Sequence, residues 1–464
     1  MVFSSPVFLF FYLPISLALY FAVPLKWRNL VLLAVSLLFY GWGEGIYVLI
    51  MLLSTAIDYT HGLLVEKYRN EDKKARWFVA QSVIFNLLIL GFFKYYNFIA
   101  ANLALIPGLA LPDLNVHLPI GVSFYTFQTM SYTIDVYRKD APVQRNVVAF
   151  GTFVTMFPQL IAGPIVKYKQ VALELNSRLT TAEGFARGVL RFTVGLAKKV
   201  LLANAVGILW ETQLAAQSAG TLTAAGGWLG LAAFSLQIYF DFSGYSDMAI
   251  GLGYIFGFHF PENFDHPYLA KSVTEFWRRW HMSLTGWFRE YVYIPLGGNR
   301  GGEWKTLRNI LIVWTLTGIW HGASWNFLLW GEYFAAWLIL EKYVLGGALS
   351  RAPVAVQRIY TLMIAAVGWG LFAIEDLGRC AAYLKICFGG GTLWSAGDGY
   401  LLRSYGLTLV ILALASTTLG LRLWVRLPER VRQIAAPLLM LAGLTVCTAY
   451  LVDNSYNPFL YFRF

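Results

Sequence analysis

The chain has 464 residues, of which 58% are hydrophobic and only 13% charged, and its formal net charge is +11. A soluble domain of this length would carry about one quarter charged residues, so the composition excludes an ordinary soluble enzyme and indicates a membrane protein. The basic residues are not interleaved with aromatic residues as in a nucleic-acid groove, and we therefore expect no nucleic-acid partner.

Apolar stretches recur along the whole chain, and most have the length of about 17–25 residues that crosses the hydrocarbon core as a helix. They predict an all-α polytopic membrane protein with roughly ten to thirteen transmembrane helices in a single membrane domain, 1–464. The first stretch lacks the preceding Lys or Arg of a signal peptide, so we expect it to be retained. The stretches are 6–24, 29–53, 78–100, 147–166, 192–209, 224–239, 309–334, 354–374, 402–421 and 434–452.

The loops between these stretches differ in charge. Cytoplasmic loops of membrane proteins carry an excess of Lys and Arg, which predicts the side of the membrane for each loop. Basic residues gather in 24–29, 66–77, 137–145 and 270–308, which we expect in the cytoplasm. Lys and Arg are absent from 101–117 and 208–226, which we expect outside.

Three regions differ in regularity: plain helices in 1–117, a broken core in 118–335, and ordinary helices again in 350–464. In the core, segments 118–127 and 157–168 hold Pro and Gly within apolar sequence. Such breaks are tolerated where the chain is buried in protein or lines a watery cavity. Each alone could be an ordinary kink, but together they favour re-entrant segments around a cavity.

The most polar of the predicted membrane segments is 235–258, which contains Asp241, Ser243 and Asp247. Ionisable residues within the membrane are costly and mark functional sites by default. Asp241 and Ser243 are therefore candidate substrate contacts. The sequence does not identify the basic partners of the two aspartates; the Lys and Arg residues of 271–308 are candidates.

Segment 271–291 predicts an amphipathic helix on the cytoplasmic side. Plotted as a continuous helix, its aromatic residues fall within an arc of about 120°, and Arg278 and Arg279 lie outside that arc. His281 falls at the border, where it could pack against the helix neighbours or face a cavity. Asn299 and Arg300 follow in a tight basic turn, "PLGGNRGG" (295–302).

A second histidine, His321, lies in the apolar segment "IWHGASWN" (319–326) beside Trp320. It is either a neutral buried histidine with one hydrogen-bond partner or a functional group, and its glycine neighbours favour function. HExxH, GxSxG and CxxC motifs are absent, and two lone histidines make a poor metal site, so no metal is predicted. Imidazole titrates near neutral pH and suits a general base that deprotonates a hydroxyl.

Several long segments together resemble the membrane-bound O-acyltransferase family, in the bacterial branch of alginate O-acetyltransferases and teichoic-acid D-alanyl transfer proteins. They are "MVFSSPVFLFFYLP" (1–14), "FPQLIAGPIVKY" (157–168), "YFDFSGYSDMAIGLG" (239–253), "FWRRWHMSLTGWFREYVYIPLGGNRGG" (276–302), "TGIWHGASWNFLLWG" (317–331) and "NPFLYFRF" (457–464). The resemblance implies a helical bundle around a central tunnel, with His321 catalytic and His281 assisting or lining the tunnel. It also implies a multi-pass location in the cell inner membrane.

The resemblance implies transfer of an acyl group, acetyl above all, from a cytoplasmic thioester toward hydroxyls of an exported polysaccharide such as alginate. No cofactor is expected to stay bound; the donor would be acetyl-CoA or another acyl thioester. A separate extracytoplasmic acyltransferase partner would complete the transfer. D-alanyl transfer to teichoic acid and a transporter without covalent chemistry remain alternatives. The candidate substrate contacts are Asp241, Ser243, Trp320, Asn299, Arg278, Arg279 and Arg300, the arginines serving either the anionic donor or anionic membrane lipid.

Overall fold

The computed structural model describes residues 2–161, 163–453 and 460. Regular structure in these residues is helical and no strand occurs among them, which confirms the all-α prediction. The chain forms two compact units. The first comprises residues up to 192 together with 245–261, and the second comprises 193–244 and the residues from 262 onward. None of the three boundaries along the chain falls at 117 or 335, and the division of the membrane domain into regions stays a prediction.

The first unit is built from antiparallel apolar helices with a polar cluster in their midst. Asp58 is fully buried, and its carboxylate accepts hydrogen bonds from the Ser82 hydroxyl at 2.5 Å and the Asn86 amide at 2.8 Å. The buried acid is thereby satisfied without a cation. The helices are α1 (Leu13–Ala22), α2 (Leu25–Glu44), α3 (Val48–Lys67), α4 (Asp72–Leu103), α5 (Val122–Arg138), α6 (Val147–Thr155), α7 (Phe157–Leu160) and α8 (Tyr168–Asn176).

The two predicted interruptions are confirmed. Helix α5 begins only after Gly121, which has a φ of 81°, and α7 is a single turn followed by non-helical residues at Ile161 and at 163–167. The breaks touch each other, because a Cβ on Gly121 would lie 2.7 Å from the carbonyl oxygen of Leu160. Only glycine combines this backbone angle with so close an approach.

The second unit holds the remaining helices. Two long helices cross the boundary between the units along the chain, α9 (Ala182–Ala197) and α11 (Ala224–Phe256). A π-helical stretch, Lys198–Ala203, joins α9 to α10. The others are α10 (Asn204–Ser218), α12 (Val273–Arg279), α13 (Met282–Phe288), α14 (Glu303–His321), α15 (Trp325–Leu340), α16 (Gly346–Arg351), α17 (Val354–Ala373), α18 (Leu377–Cys387), α19 (Ala396–Ala415), α20 (Leu419–Arg426) and α21 (Glu429–Asp453).

Six helical stretches in the described residues are long and apolar enough to cross a membrane. They are Leu25–Lys67, Asp72–Leu103, Ala182–Ser218, Val354–Ala373, Ala396–Ala415 and Glu429–Asp453. The prediction of a multi-pass membrane protein is therefore confirmed, while the number of ten to thirteen spans and the central tunnel stay predictions.

Candidate functional site

His321 is the last residue of α14, and the local sequence explains why the helix ends there. Gly322 has an extended backbone, and α15 begins three residues later at Trp325. A side chain on Gly322 would overlap the ring of Phe327, so the turn can be this tight only because residue 322 is glycine. The hairpin of α14 and α15 thus holds the imidazole at a helix end inside the second unit.

Aromatic rings enclose the His321 imidazole. Its ring centroid lies 4.9 Å from that of Trp330, 5.0 Å from that of Trp320 and 5.3 Å from that of Phe372. Only 7% of the residue is exposed. Trp320 was a candidate from its place next to His321 in the sequence, whereas Trp330 and Phe372 come from α15 and α17 and were not predicted.

A small cavity of about 20 Å³ adjoins His321, which we call the histidine cavity. This volume holds about one water molecule. Among the described residues that line it, only Asp241 and His321 are ionisable, and the rest are aliphatic or aromatic. The lining residues are Ile238, Asp241, Phe242, Trp280, His321, Trp330, Trp369, Phe372 and Leu460.

Asp241 is the one predicted substrate contact that the structure brings into this cavity with His321. It is 2% exposed, and its Oδ1 lies 2.7 Å from the Nζ of Lys199. Its Oδ2 accepts the backbone N–H of Leu460 at 2.9 Å. Ser243 is also buried but does not line the cavity.

The structure pairs the two aspartates with basic residues outside 271–308, the segment that supplied the candidates. Asp241 pairs with Lys199, and Asp247 pairs with Arg191 at 2.6 Å, within the first unit. Both basic residues precede α11 in the chain. The sequence did contain an indication that Lys199 has a functional partner, because this lysine lies within the apolar stretch 192–209, where an ionisable residue needs one.

The continuous amphipathic helix predicted over 271–291 is wrong. The structure has two short helices, α12 and α13, separated at His281, whose φ of 44° and ψ of 53° are left-handed. The aromatic residues of both helices are nevertheless buried. Apolar periodicity cannot distinguish one helix from two when both bury the same rings, so the break left no trace in the pattern.

His281 is buried behind the His321 site rather than in the lining of the histidine cavity. Its ring lies 4.7 Å from that of Phe242 and 6.1 Å from that of Trp320. The Asn263 Oδ1 atom accepts from the Ser283 hydroxyl at 2.8 Å, so in the 3.0 Å contact with the same oxygen His281 donates its Nδ1–H. Burial lowers the pKa of His281 to about 3, which keeps the ring neutral at pH 7.

A larger, more open space of about 660 Å³ lies beside α12, and we call it the basic cleft. Among the described residues, three cations line it, Lys271, Arg278 and Lys342, together with the acid Glu341 and with Asn299 and Trp314. The ring centroid of Trp314 lies 6.1 Å from that of Trp330, which lines the histidine cavity. A volume of this size matches the clefts that hold small ligands.

The other predicted substrate contacts, Asn299, Arg279 and Arg300, lie in different places. Asn299 accepts from the Tyr293 hydroxyl at 2.6 Å and from Lys342 Nζ at 2.8 Å, so it belongs to the basic cleft and not to the histidine cavity. Arg279 is engaged with Glu275 at 2.9 Å and Asp265 at 3.3 Å. Arg300 is exposed and does not line the cleft. The resemblance segment 457–464 lies outside the described residues except for Leu460.

Comparison with known proteins identifies the family of the chain. The sequence profile of the membrane-bound O-acyltransferase family matches residues 46–374, which include His281, His321 and Asp241. The chain is 39% identical to a protein of Pseudomonas putida named probable alginate O-acetylase AlgI, with all of both chains covered. It is 34% identical to the peptidoglycan O-acetyltransferase of Helicobacter pylori, over 83% of this chain and 79% of that protein.

A more distant relative belongs to the second branch. The chain is 28% identical to the teichoic acid D-alanyltransferase of Bacillus subtilis, over 48% of this chain and 59% of that protein. The alginate-type resemblance of the sequence is thereby confirmed over the teichoic-acid type. A transporter without covalent chemistry is excluded as a description of the protein, because the relatives are acyl-transferring enzymes. The chain belongs to the membrane-bound O-acyltransferase family and is an O-acyltransferase.

Proposed function

We propose that this enzyme takes an acetyl group from a cytoplasmic thioester and moves it toward hydroxyl groups of an exported polysaccharide such as alginate. The observation that carries the proposal is the position of His321, a buried imidazole in an aromatic cavity beside a cleft lined by cations. The relatives named alginate O-acetylase support acetyl as the group and alginate as the acceptor class.

His321 would act as the general base. It takes the proton from the acceptor hydroxyl while the oxygen forms a bond to the acyl carbon and the bond from that carbon to sulfur breaks. The departing thiolate then takes the proton from the imidazolium, so atoms and charge balance. The aromatic walls keep bulk water away, which protects the thioester from hydrolysis and strengthens electrostatic interactions inside the cavity.

The basic cleft would receive the donor. Acetyl-CoA and other acyl thioesters of this kind carry phosphate groups, and a cleft lined by positive charge raises the local concentration of anions. Lys271, Arg278 and Lys342 supply that charge, and about 660 Å³ accommodates part of such a molecule. The acyl end would then pass the indoles of Trp314 and Trp330 to reach His321.

The proposal also covers the location of the protein and its partner. We place the protein in the cell inner membrane, with α12 and the basic cleft on the cytoplasmic side, because positive charge concentrates there. We expect a separate extracytoplasmic acyltransferase to complete transfer to the polymer. Transfer of D-alanyl to teichoic acid is the second candidate, supported only by the more distant relatives.

The test is the ester content of the secreted polymer in cells that lack the protein and are complemented with a variant. The wild-type chain should restore acetyl esters and His321→Ala should not, at equal amounts of protein in the membrane. His117→Ala is a matched control, because His117 is also a histidine but is exposed and belongs to the first unit. Normal acetylation with His321→Ala would show that the general-base assignment is wrong.

A further inference from the structure

The two ionisable groups of the histidine cavity differ in what surrounds them. The His321 imidazole is surrounded by aromatic rings, whereas the Asp241 carboxylate is paired with the ammonium group of Lys199. An ionised carboxylate in such apolar surroundings costs several kcal/mol unless it is paired and hydrogen-bonded. Some feature of the fold must therefore maintain the charge at this wall of the cavity.

Lys199 is that feature. Its Nζ lies 2.7 Å from Asp241 Oδ1 and donates to Asn204 Oδ1 at 2.8 Å, and only 1% of the residue is exposed. Lys199 belongs to the π-helical stretch Lys198–Ala203, and π-helical turns often occur at functional sites. Lys199 itself does not line the cavity. In this ion pair the carboxylate of Asp241 therefore lines the cavity, and the ammonium group of Lys199 does not.

We propose that Lys199 is a positioning residue for acyl transfer, which acts by holding Asp241 as a charged carboxylate at the wall of the histidine cavity. This inference rests on the proposed function and deepens it. When His321 takes the hydroxyl proton, a positive charge appears in a cavity whose other described lining residues are aliphatic and aromatic. The Asp241 carboxylate stabilises that imidazolium, and such preorganised charge acts where charge develops in the reaction. The pair itself exchanges no proton.

A purely structural ion pair would behave differently when both charges are removed. Replacing a whole buried pair by neutral residues of similar volume is often harmless to stability, whereas removing one partner leaves a buried charge uncompensated. The double variant Lys199→Met/Asp241→Asn therefore separates the two roles. It removes the charge at the cavity wall without leaving an unpaired group.

The experiment uses membranes that contain the full chain, with acetyl-CoA as the probe donor and thiol release as the measurement. We expect the double variant to keep a melting temperature close to that of the wild type. Its kcat should be at least about tenfold lower than that of the wild type, and its KM for the donor should be unchanged. Lys199→Met alone should lose both stability and kcat, and Lys199→Arg, which keeps the charge, should recover part of the kcat. Lys198→Met, the neighbouring lysine in the same π-helical stretch, is the matched control and should keep wild-type kcat.

The outcomes distinguish this inference from the proposed function. If His321→Ala abolishes transfer and the double variant works at the wild-type rate, the role of Lys199 is overturned and the proposed function stands. Failure of the double variant to fold would assign the pair to the fold alone and would also overturn the inference. A wild type without transfer, or an active His321→Ala, would overturn both.

Discussion

Gly318 and Gly331 pack backbone against backbone where α14 and α15 meet. A Cβ on Gly331 would lie 3.2 Å from the Cα of Gly318 and would overlap the carbonyl oxygen of Trp314. Pairs of small residues allow membrane helices to approach this closely. Gly318 precedes His321 by one turn and Gly331 follows the cavity residue Trp330, so this contact sets the spacing of the site.

Gly331→Ala should therefore force the two helices apart. We expect a loss of about 1–3 kcal/mol of stability, as for other overpacked sites, and a reduced rate of acyl transfer. The measurements are the melting temperature in detergent and thiol release from acetyl-CoA. Gly406→Ala is the control, because a Cβ at Gly406 in α19 meets nothing within 4 Å. A wild-type melting temperature for Gly331→Ala would contradict the close contact.

Replacement of His281 should act through backbone conformation and one hydrogen bond. Asn tolerates the left-handed region and β-branched residues do not, so His281→Asn should retain more activity than His281→Val. Loss of one positioning hydrogen bond corresponds to about 0.5–1.5 kcal/mol, roughly a tenfold effect on rate. Transfer rates of both variants at equal membrane levels check this. A complete loss in His281→Asn, as in His321→Ala, would instead indicate that His281 shares in the chemistry.

His281 should also make the protein sensitive to acid. Because burial lowers its pKa from 6.5 to about 3, the unfolded chain binds a proton between these values that the folded chain does not. Stability should therefore fall as the pH is lowered from about 6.5 toward 3, and should be unaffected by this group above that range. His281→Asn removes the effect, so its melting temperature should fall less on acidification than that of the wild type. If the melting temperatures of the two proteins fall equally with pH, folding does not lower the pKa of His281.

The basic cleft predicts different effects for two arginines that the sequence grouped together. Arg278 lines the cleft and Arg300 does not. Arg278→Gln should raise the apparent KM for acetyl-CoA, with a weaker dependence on salt, because one phosphate-attracting charge is lost. Arg300→Gln should change the KM less. Equal KM values for both variants and the wild type, with poorer membrane association, would identify these charges as lipid anchors.

The orientation of the cleft can be tested by labelling. Cysteine at the exposed position of Arg278 should react with an impermeant thiol reagent only from the cytoplasmic side. Cysteine at Asp113, in the loop predicted outside, should react only from the outer side. The native Cys380, Cys387 and Cys447 are all buried, so their background should be low. Labelling of residue 278 in intact cells would reverse the proposed direction of transfer.

Local signals predicted several features of the fold and the site. Pro and Gly within apolar sequence identified the breaks before α5 and around α7, because these residues act on their own backbone. His321 was identified because a histidine in an apolar segment is costly wherever the segment packs. Signals of this kind do not depend on which helices become neighbours.

Features that depend on helix packing could not be predicted in the same way. Trp330, Trp369 and Phe372 look like ordinary apolar residues in the sequence, and only the packing of α15 against α17 makes them walls of the cavity. The Lys199–Asp241 pair joins residues from different helices. Likewise, the left-handed backbone at His281 comes with hydrogen bonds from His281 and Ser283 to Asn263, a residue distant in the sequence.

The small volume of the histidine cavity has a consequence for the length of the acyl group. With space for about one water molecule, about 20 Å³, the cavity leaves little room beside His321 for a long acyl chain. The surrounding rings are held by one another, since the ring centroids of Trp280 and Trp369 lie 4.6 Å apart. Each further methylene would cost about 1–3 kcal/mol in such a confined pocket. If the acyl group enters this cavity, as we propose, the indole walls should admit a two-carbon chain more readily than a longer one.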